Sequence, residues 1–208
     1  MPVILVANPK GGVGKTTIAT NLAGWYAKNG LATMLGDIDK QQSSRAWLDL
    51  RPATLPPIAR WKLDAHGIAQ MPEGVTHAVL DTPASLGGDR LKEALKIADR
   101  IVVPLQPSIF DILATRDFLS VLAEKKAVRE GRAVVGVIGM RVDARTRAAD
   151  QLQRFVEGVG LPVLGYLRDT QNYVQLAAHG ATLWDAAPWR VEKDVAQWQP
   201  LLEWLARK

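Results

Sequence analysis

The chain has 208 residues, 48% of them hydrophobic and 23% charged, enough apolar material to close one sizeable core. It contains no cysteine, which excludes a disulfide framework, a thiolate zinc site and a cysteine-ligated iron–sulfur cluster. The net charge of +5 and pI near 9.6 suit a polyanionic partner without identifying one, and no run approaches the roughly 18 apolar residues of a membrane span.

The first element is a β-branched run, Val3–Val6, which begins without the charged start, apolar stretch and cleavage site of a signal peptide; a cytoplasmic protein is expected. It leads into PKGGVGKTT, residues 9–17, which opens a helical pattern carried by Ile18, Leu22, Trp25 and Tyr26. Further short apolar runs follow at residues 32–35, 78–80, 101–105, 134–138 and, more weakly, 163–167. Between them lie longer segments of helical spacing, such as Ile112, Phe118, Leu119 and Leu122; a Pro-rich patch, 51–57, reads as a connector. Strand alternating with helix implies an α/β fold, a mostly parallel twisted sheet with helices on both faces, in a single domain over residues 1–208. In such sheets the ligand sits beyond the carboxyl ends of the strands.

Residues 9–17 have the context a phosphate-binding loop requires, directly after a strand and opening a helix. Gly11, Gly12, Val13 and Gly14 would offer backbone N–H groups to phosphate oxygens, with the helix N-terminus of Thr16 and Thr17 adding its dipole. Lys15 would reach the β- and γ-phosphates, and the Thr16 hydroxyl would ligate Mg²⁺. The ordinary motif has its first glycine where this chain has Pro9, and the residue the variant adds is Lys10. Lys10 is either a solvated loop lysine or a charge placed for phosphoryl transfer.

The string Lys10 to Thr17 resembles the deviant Walker A motif of the ParA/MinD ATPases, whose signature is that early lysine. LGDIDKQQSS, 35–44, is similar to the family's Asp-x-Asp motif, and AVLDTPAS, 78–85, to its Walker B strand and switch. The resemblance implies a P-loop NTPase fold, ATP and Mg²⁺ as cofactors, and an ATP-bound sandwich dimer in which Lys10 reaches the partner's nucleotide. It assigns Asp81 to the metal shell and Asp39 to the attacking water; Asp37 is left between the metal shell and a structural hydrogen-bonding role. ADRIVVPLQPS, 98–108, agrees as well, and RVDARTRAADQL, 141–152, and LRDTQNYVQLAAHGATLWD, 167–185, resemble small ParA-type proteins more than MinD. Two positions depart from the pattern. Lys40 replaces a usual proline, and Met140 stands where an asparagine often reads adenine, leaving Arg168 and Asp169 as the candidates for holding the base.

Within the family, the nitrogenase iron protein and the cluster scaffolds need cysteines. A MinD-like membrane helix would have to lie in residues 195–208, where Val195, Trp198, Leu201, Leu202 and Leu205 form an apolar stripe. Pro200 should kink that helix and its only cations are Arg207 and Lys208, so a helix packed on the core, without stable membrane association, is expected. Residues 125–154 hold eight basic and three acidic residues, a surplus equal to that of the whole chain. This is either a solvated face or the nonspecific DNA surface of partition ATPases, with Arg141, Arg145 and Arg147 foremost and Arg168, Arg190 and Lys193 behind them. No N-terminal helix-turn-helix domain, and hence no sequence-specific operator binding, is expected. The reading implied is a slow ATPase switch positioning a plasmid, chromosome or protein assembly, nucleoid-associated when ATP-bound and stimulated by a ParB-like or cargo-adaptor protein. A MinD-like membrane organiser and an ATP-dependent synthetase on the same fold are the alternatives. His66, His77 and His179 are scattered and read as structural or surface residues, and Trp25, Trp47, Trp184, Trp198 and Trp204 as packing residues. Ser43 and Ser44 are expected to cap a helix.

Overall fold

The apolar runs become strands, and the computed structural model describes them within residues 2–61, 73–143 and 145–207. They are β1 (Val3–Val6), β2 (Thr33–Asp37), β3 (Ala59–Arg60), β4 (His77–Asp81), β5 (Arg100–Leu105), β6 (Val134–Met140) and β7 (Val163–Leu167). All pair in parallel, in the order β3-β2-β4-β1-β5-β6-β7. The two-residue β3 has no counterpart in the sequence reading: it is an exposed edge strand with no apolar run to mark it. The intervening helices are α1 (Lys15–Lys28), α2 (Ser43–Leu50), α3 (Gly88–Ile97), α4 (Ile109–Glu124), α5 (Lys126–Arg129), α6 (Arg147–Val159), α7 (Gln171–Ala177), α8 (Pro188–Ala196) and α9 (Gln199–Ala206). Among the described residues no helix is long and apolar enough to cross a membrane.

Strand alternation divides the core into two layers. Ile4 and Val6 point to the face covered by α1, where they meet Ile18 and Leu22 together with Trp198 and Leu201 from the C-terminal region. Val3 and Leu5 point the other way, to Leu91 and Leu95 of α3, Phe118 and Leu122 of α4, and Leu152 of α6. All four β1 side chains are buried, which is why this strand reads as continuously apolar.

The connections explain where a ligand fits. From β1 the chain crosses to β2, stepping over the place that β4 later fills; from β4 it crosses to β5 over β1 in the opposite direction. The two crossovers lie on opposite faces, because α1 and α3 belong to different core layers. Their divergence leaves a crevice at the carboxyl ends of β1 and β4.

Residues 195–208 do not form one kinked helix. α8 ends at Ala196 and α9 begins at Gln199, so Pro200 occupies the first turn of a new helix, where no backbone donor is required. Trp198, between the two helices, is fully buried and its indole N–H donates to the Tyr173 hydroxyl at 2.9 Å. Leu201, Leu202 and Trp204 are buried too, so the apolar stripe faces the core as expected. The 51–57 connector is anchored by a contact the sequence did not reveal, a buried ion pair of Arg51 with Asp185 at 3.0 Å. His77 packs on the Tyr26 ring, His179 is exposed, and His66 lies outside the described residues.

Candidate nucleotide-binding site

The loop between β1 and α1 is held open by its own backbone. Gly12 and Gly14 sit at φ +74° and +92°, the left-handed region that L side chains disfavour, and no side chain caps the first turn of α1. Its leading N–H groups are left to face a ligand. A Cβ on Gly11 or Gly12 would meet nothing within 4 Å, whereas one on Gly14 would come within 2.6 Å of the Met140 side chain. Met140 is thus committed to packing under the helix start. Val13 is buried, so its part in the loop is played by backbone.

The two lysines diverge. Lys15 is nearly buried, and its ammonium donates to the Lys10 carbonyl at 2.6 Å, inside the loop it would neutralise. Burial pulls its pKa below the usual lysine value, while the Asp81 and Asp39 carboxylates oppose that shift. Lys10 lies outside the cleft wall; its ammonium is 3.6 Å from Asp111 of α4, and its backbone N–H donates to Asn8 Oδ1 at 2.8 Å. Asn8 is itself buried and tied to the Pro104 carbonyl and the Thr115 hydroxyl, fixing the root of the Lys10 turn. Asn8 escaped the sequence reading, although it immediately precedes the motif.

Asp81 closes β4 at the centre of the crevice. Its Oδ2 accepts from the Thr16 hydroxyl at 2.7 Å and the Ser44 hydroxyl at 2.5 Å, and its Oδ1 accepts from the Thr82 N–H at 3.0 Å. Burial nevertheless outweighs these three bonds and pushes its pKa up to about 6. Ser44 is not the cap expected from the sequence: it lies inside α2, fully buried, and the cap position is Gln42 in a left-handed conformation. The helix start is held from the sheet instead, by Asp37, whose Oδ2 accepts from the Ser44 N–H at 2.9 Å and whose Oδ1 accepts from the Asp39 N–H at 2.8 Å. Of the two roles open to Asp37, this is the structural one. Burial raises its pKa as well.

The cleft has a volume of about 480 Å³ and runs over Gly11 to Thr17, with Asp39 and Gln41 at one side, the 82–85 turn beside them, and Arg141 at the other. An Mg²⁺–nucleotide fits this donor set: open glycine N–H groups and the Lys15 ammonium for phosphates, and the hard oxygens of Thr16 and Asp81 for the cation. When bound, the cation would screen phosphate charge and polarise the terminal phosphoryl group. Asp39 lines the cleft where it can orient or accept a proton from water, and its side chain is braced by the Gln41 N–H at 3.1 Å.

The basic candidates differ in how they are held. Arg145 forks onto Asp143 at 3.0 Å through both Nε and Nη2, which holds the Asp143 pKa below its usual range. Arg147 is exposed at the first position of α6, where the helix dipole disfavours a cation. Arg168 turns inward: its Nε donates at 2.5 Å to Asp194, a fully buried carboxylate that also accepts from Asn172. The Arg168 side chain remains 41% exposed, so this bond anchors one edge of the guanidinium beside a buried charge that releasing Arg168 would leave with one partner fewer. Arg190 bonds Asn172 and Gln175, and Lys193 is exposed on the same helix. Asp169 lies 3.9 Å from the Nε of Arg141, which lines the cleft.

The chain is similar to known proteins in sequence and in fold. Residues 4–183 match the model of the CobQ/CobB/MinD/ParA nucleotide binding domain. The chain is 30% identical over 187 residues to a maintenance of carboxysome distribution protein A from Gloeobacter kilaueensis, covering 87% of this chain and 83% of that one. It is 30% identical over 184 residues to the chromosome-partitioning ATPase Soj of Thermus thermophilus, covering 72% and 73%. In fold it resembles a putative plasmid partition protein from Borrelia burgdorferi solved with AMPPNP, at a TM-score of 0.75 over 97% of this chain and 98% of that one, with 17% identity. With residues 4–183 matching the family model, on a seven-stranded parallel sheet that carries the glycine loop and the Thr16–Asp81 hydrogen bond at its carboxyl end, the chain belongs to the CobQ/CobB/MinD/ParA nucleotide-binding family.

Proposed function

We propose that this chain is a slow Mg²⁺-dependent ATPase switch whose ATP-bound form dimerises face to face, binds DNA nonspecifically and positions a cargo. The cargo would be a plasmid, a chromosome or a protein assembly, and a ParB-like or adaptor protein would accelerate hydrolysis. The observation that carries this reading is the divergence of the two loop lysines. Lys15 serves its own loop, while Lys10 leaves the cleft for the α4 side and would be available to a facing protomer. The partition and distribution roles named for the relatives point to a switch over a metabolic enzyme. The burial of Trp198, Leu201 and Trp204 argues against a membrane organiser anchored through residues 195–208.

In the proposed cycle, Mg²⁺–ATP fills the loop, two protomers close over their nucleotides, basic residues of both form the DNA surface, and hydrolysis assisted by Asp39 resets the pair to weakly binding monomers. Such a switch works by shifting populations through differential affinity. The test is oligomeric state and DNA binding measured together with ATP, ADP and no nucleotide. ATP-specific dimers that bind DNA support the reading; dimers indifferent to DNA would remove the partition function, and turnover that requires a small-molecule acceptor would favour a synthetase.

A further inference from the structure

Arg141 departs from ordinary backbone behaviour. It sits at φ +53°, a left-handed conformation that non-glycine residues seldom adopt, shared among the described residues only with Gln42 at the start of α2. It follows directly on Met140, the last residue of β6, which pairs in register with Leu167, while the Val142 N–H resumes bonding to the Leu167 carbonyl. The single residue between these two anchors is turned out of the sheet, and its side chain lines the cleft.

The order of the strands gives the cleft a direction. Asp39 and the 82–85 turn follow β2 and β4, on one side of β1, whereas Arg141 follows β6, on the other side with β5 between them. A nucleotide whose phosphates lie on the loop after β1, with its terminal phosphate near Asp39, must extend its base and ribose toward β6. Met140 cannot meet that end, because it packs under Gly14. Arg168 is less suited, because its Nε is committed to the buried Asp194 carboxylate. Arg141 is 61% exposed and its nearest acid, Asp169, is 77% exposed at 3.9 Å, a loose pair that orients the guanidinium without consuming it.

We infer that Arg141 binds the nucleoside end of the nucleotide, laying its guanidinium plane on the base and facing the ribose, with Asp169 as the positioning residue; this rests on reading the cleft as a nucleotide site. A planar guanidinium stacks on flat rings and donates in a fixed fork, neither of which a lysine ammonium reproduces. On this inference Arg141, expected from the sequence among the DNA contacts, acts on the nucleotide instead.

The experiment is titration of the full chain, without DNA, with Mg²⁺–ATP, Mg²⁺–ADP and inorganic tripolyphosphate. The variants are Arg141→Ala, Arg141→Lys and Arg141→Gly. Glycine takes φ +53° without strain, so Arg141→Gly keeps the turn and isolates the side chain. All three variants should lose roughly 3- to 30-fold in affinity for ATP and ADP while tripolyphosphate affinity stays within about twofold. Equal losses for ATP and tripolyphosphate, or full rescue by Arg141→Lys, would mean that the charge acts on phosphates and would overturn the assignment. An unaltered protein that binds ATP, with variants that bind it equally well, overturns it while sparing the cleft. An unaltered protein that binds neither ATP nor tripolyphosphate removes the cleft reading and the assignment together.

Discussion

The Thr16 hydroxyl donates to Asp81 Oδ2 at 2.7 Å across 65 residues of sequence, joining the first turn of α1 to the end of β4. The same oxygen accepts from Ser44 at 2.5 Å, so two hydroxyls from two helices converge on one buried carboxylate. Such a carboxylate is costly to keep charged without a cation, and that cost makes the site testable through stability.

Asp81 has a folded-state pKa of about 6, above its ordinary value of 3.8. A raised carboxyl pKa favours the folded state while the group is protonated. The contribution is complete below about pH 3.8 and is lost as pH rises through about 6, with the upward shift of Asp37 acting in the same direction. Metal-free protein should therefore lose stability across that window. Asp81→Asn removes the charge but keeps the fit: its carbonyl can accept from Thr82 and its amide can donate to the Ser44 and Thr16 hydroxyls, which rotate to accept. The variant should be more stable by about 2 kcal/mol at pH 7.5, roughly 4–8 °C in Tm, and should gain nothing from added Mg²⁺–ATP over metal-free ATP. Thermal melts between pH 4 and 8 check this; identical profiles for the two proteins would show that Asp81 is not strained.

The lysine divergence predicts two distinct failures. Lys15→Ala removes the ammonium inside the loop and should abolish ATP binding. Lys10→Ala leaves the loop intact, because Lys10 is fixed through its backbone to Asn8, and should bind ATP normally yet neither dimerise nor hydrolyse it. Equilibrium titration and light scattering separate the two. A monomeric Lys10→Ala with full turnover would return Lys10 to the status of a solvated lysine paired with Asp111.

Asp39→Ala should bind ATP, dimerise and fail to reset. Asp39 lines the cleft, and its side chain accepts from the Gln41 N–H near it in the sequence, so its removal disturbs the fold little. Turnover should fall by about 100-fold or more, the ordinary worth of a general base, while the ATP-dependent dimer persists. Unchanged hydrolysis would take Asp39 out of the mechanism.

The parts that were legible in the sequence are those set by local rules. Buried parallel strands announce themselves as continuous apolar runs, and Lys10, Lys15 and Thr16 announce themselves through glycine spacing. Illegible were the contacts formed by chain closure. Ser44 looked like a cap because serine before a helix usually is one, yet β4 brings Asp81 beneath it, and Asp37 on the neighbouring strand takes over the capping. Arg168 looked like a surface cation until α8 placed buried Asp194 against it, 26 residues away. Pro200 looked like a kink because the break between α8 and α9 is defined by the burial of Trp198, a tertiary event.

The same distinction governs the DNA prediction. Arg145 and Arg147 are exposed and lie at the start of α6, outside the Asp194 network, so reversing them spares the core. Arg145 is paired with Asp143 through its fork, but an exposed pair of this kind is worth little and opens readily to a phosphate. Arg145→Glu with Arg147→Glu should leave ATP affinity and dimerisation unchanged and weaken DNA binding strongly at low salt. Because each phosphate contact contributes about −0.9 to the slope of log K against log salt, and each dimer carries both residues twice, the slope should become shallower by up to about 4. Fluorescence anisotropy with a random-sequence duplex across a salt series measures both quantities. If affinity and slope match those of the unaltered protein, the DNA surface lies elsewhere, and Arg190 and Lys193 on α8 become the residues to reverse.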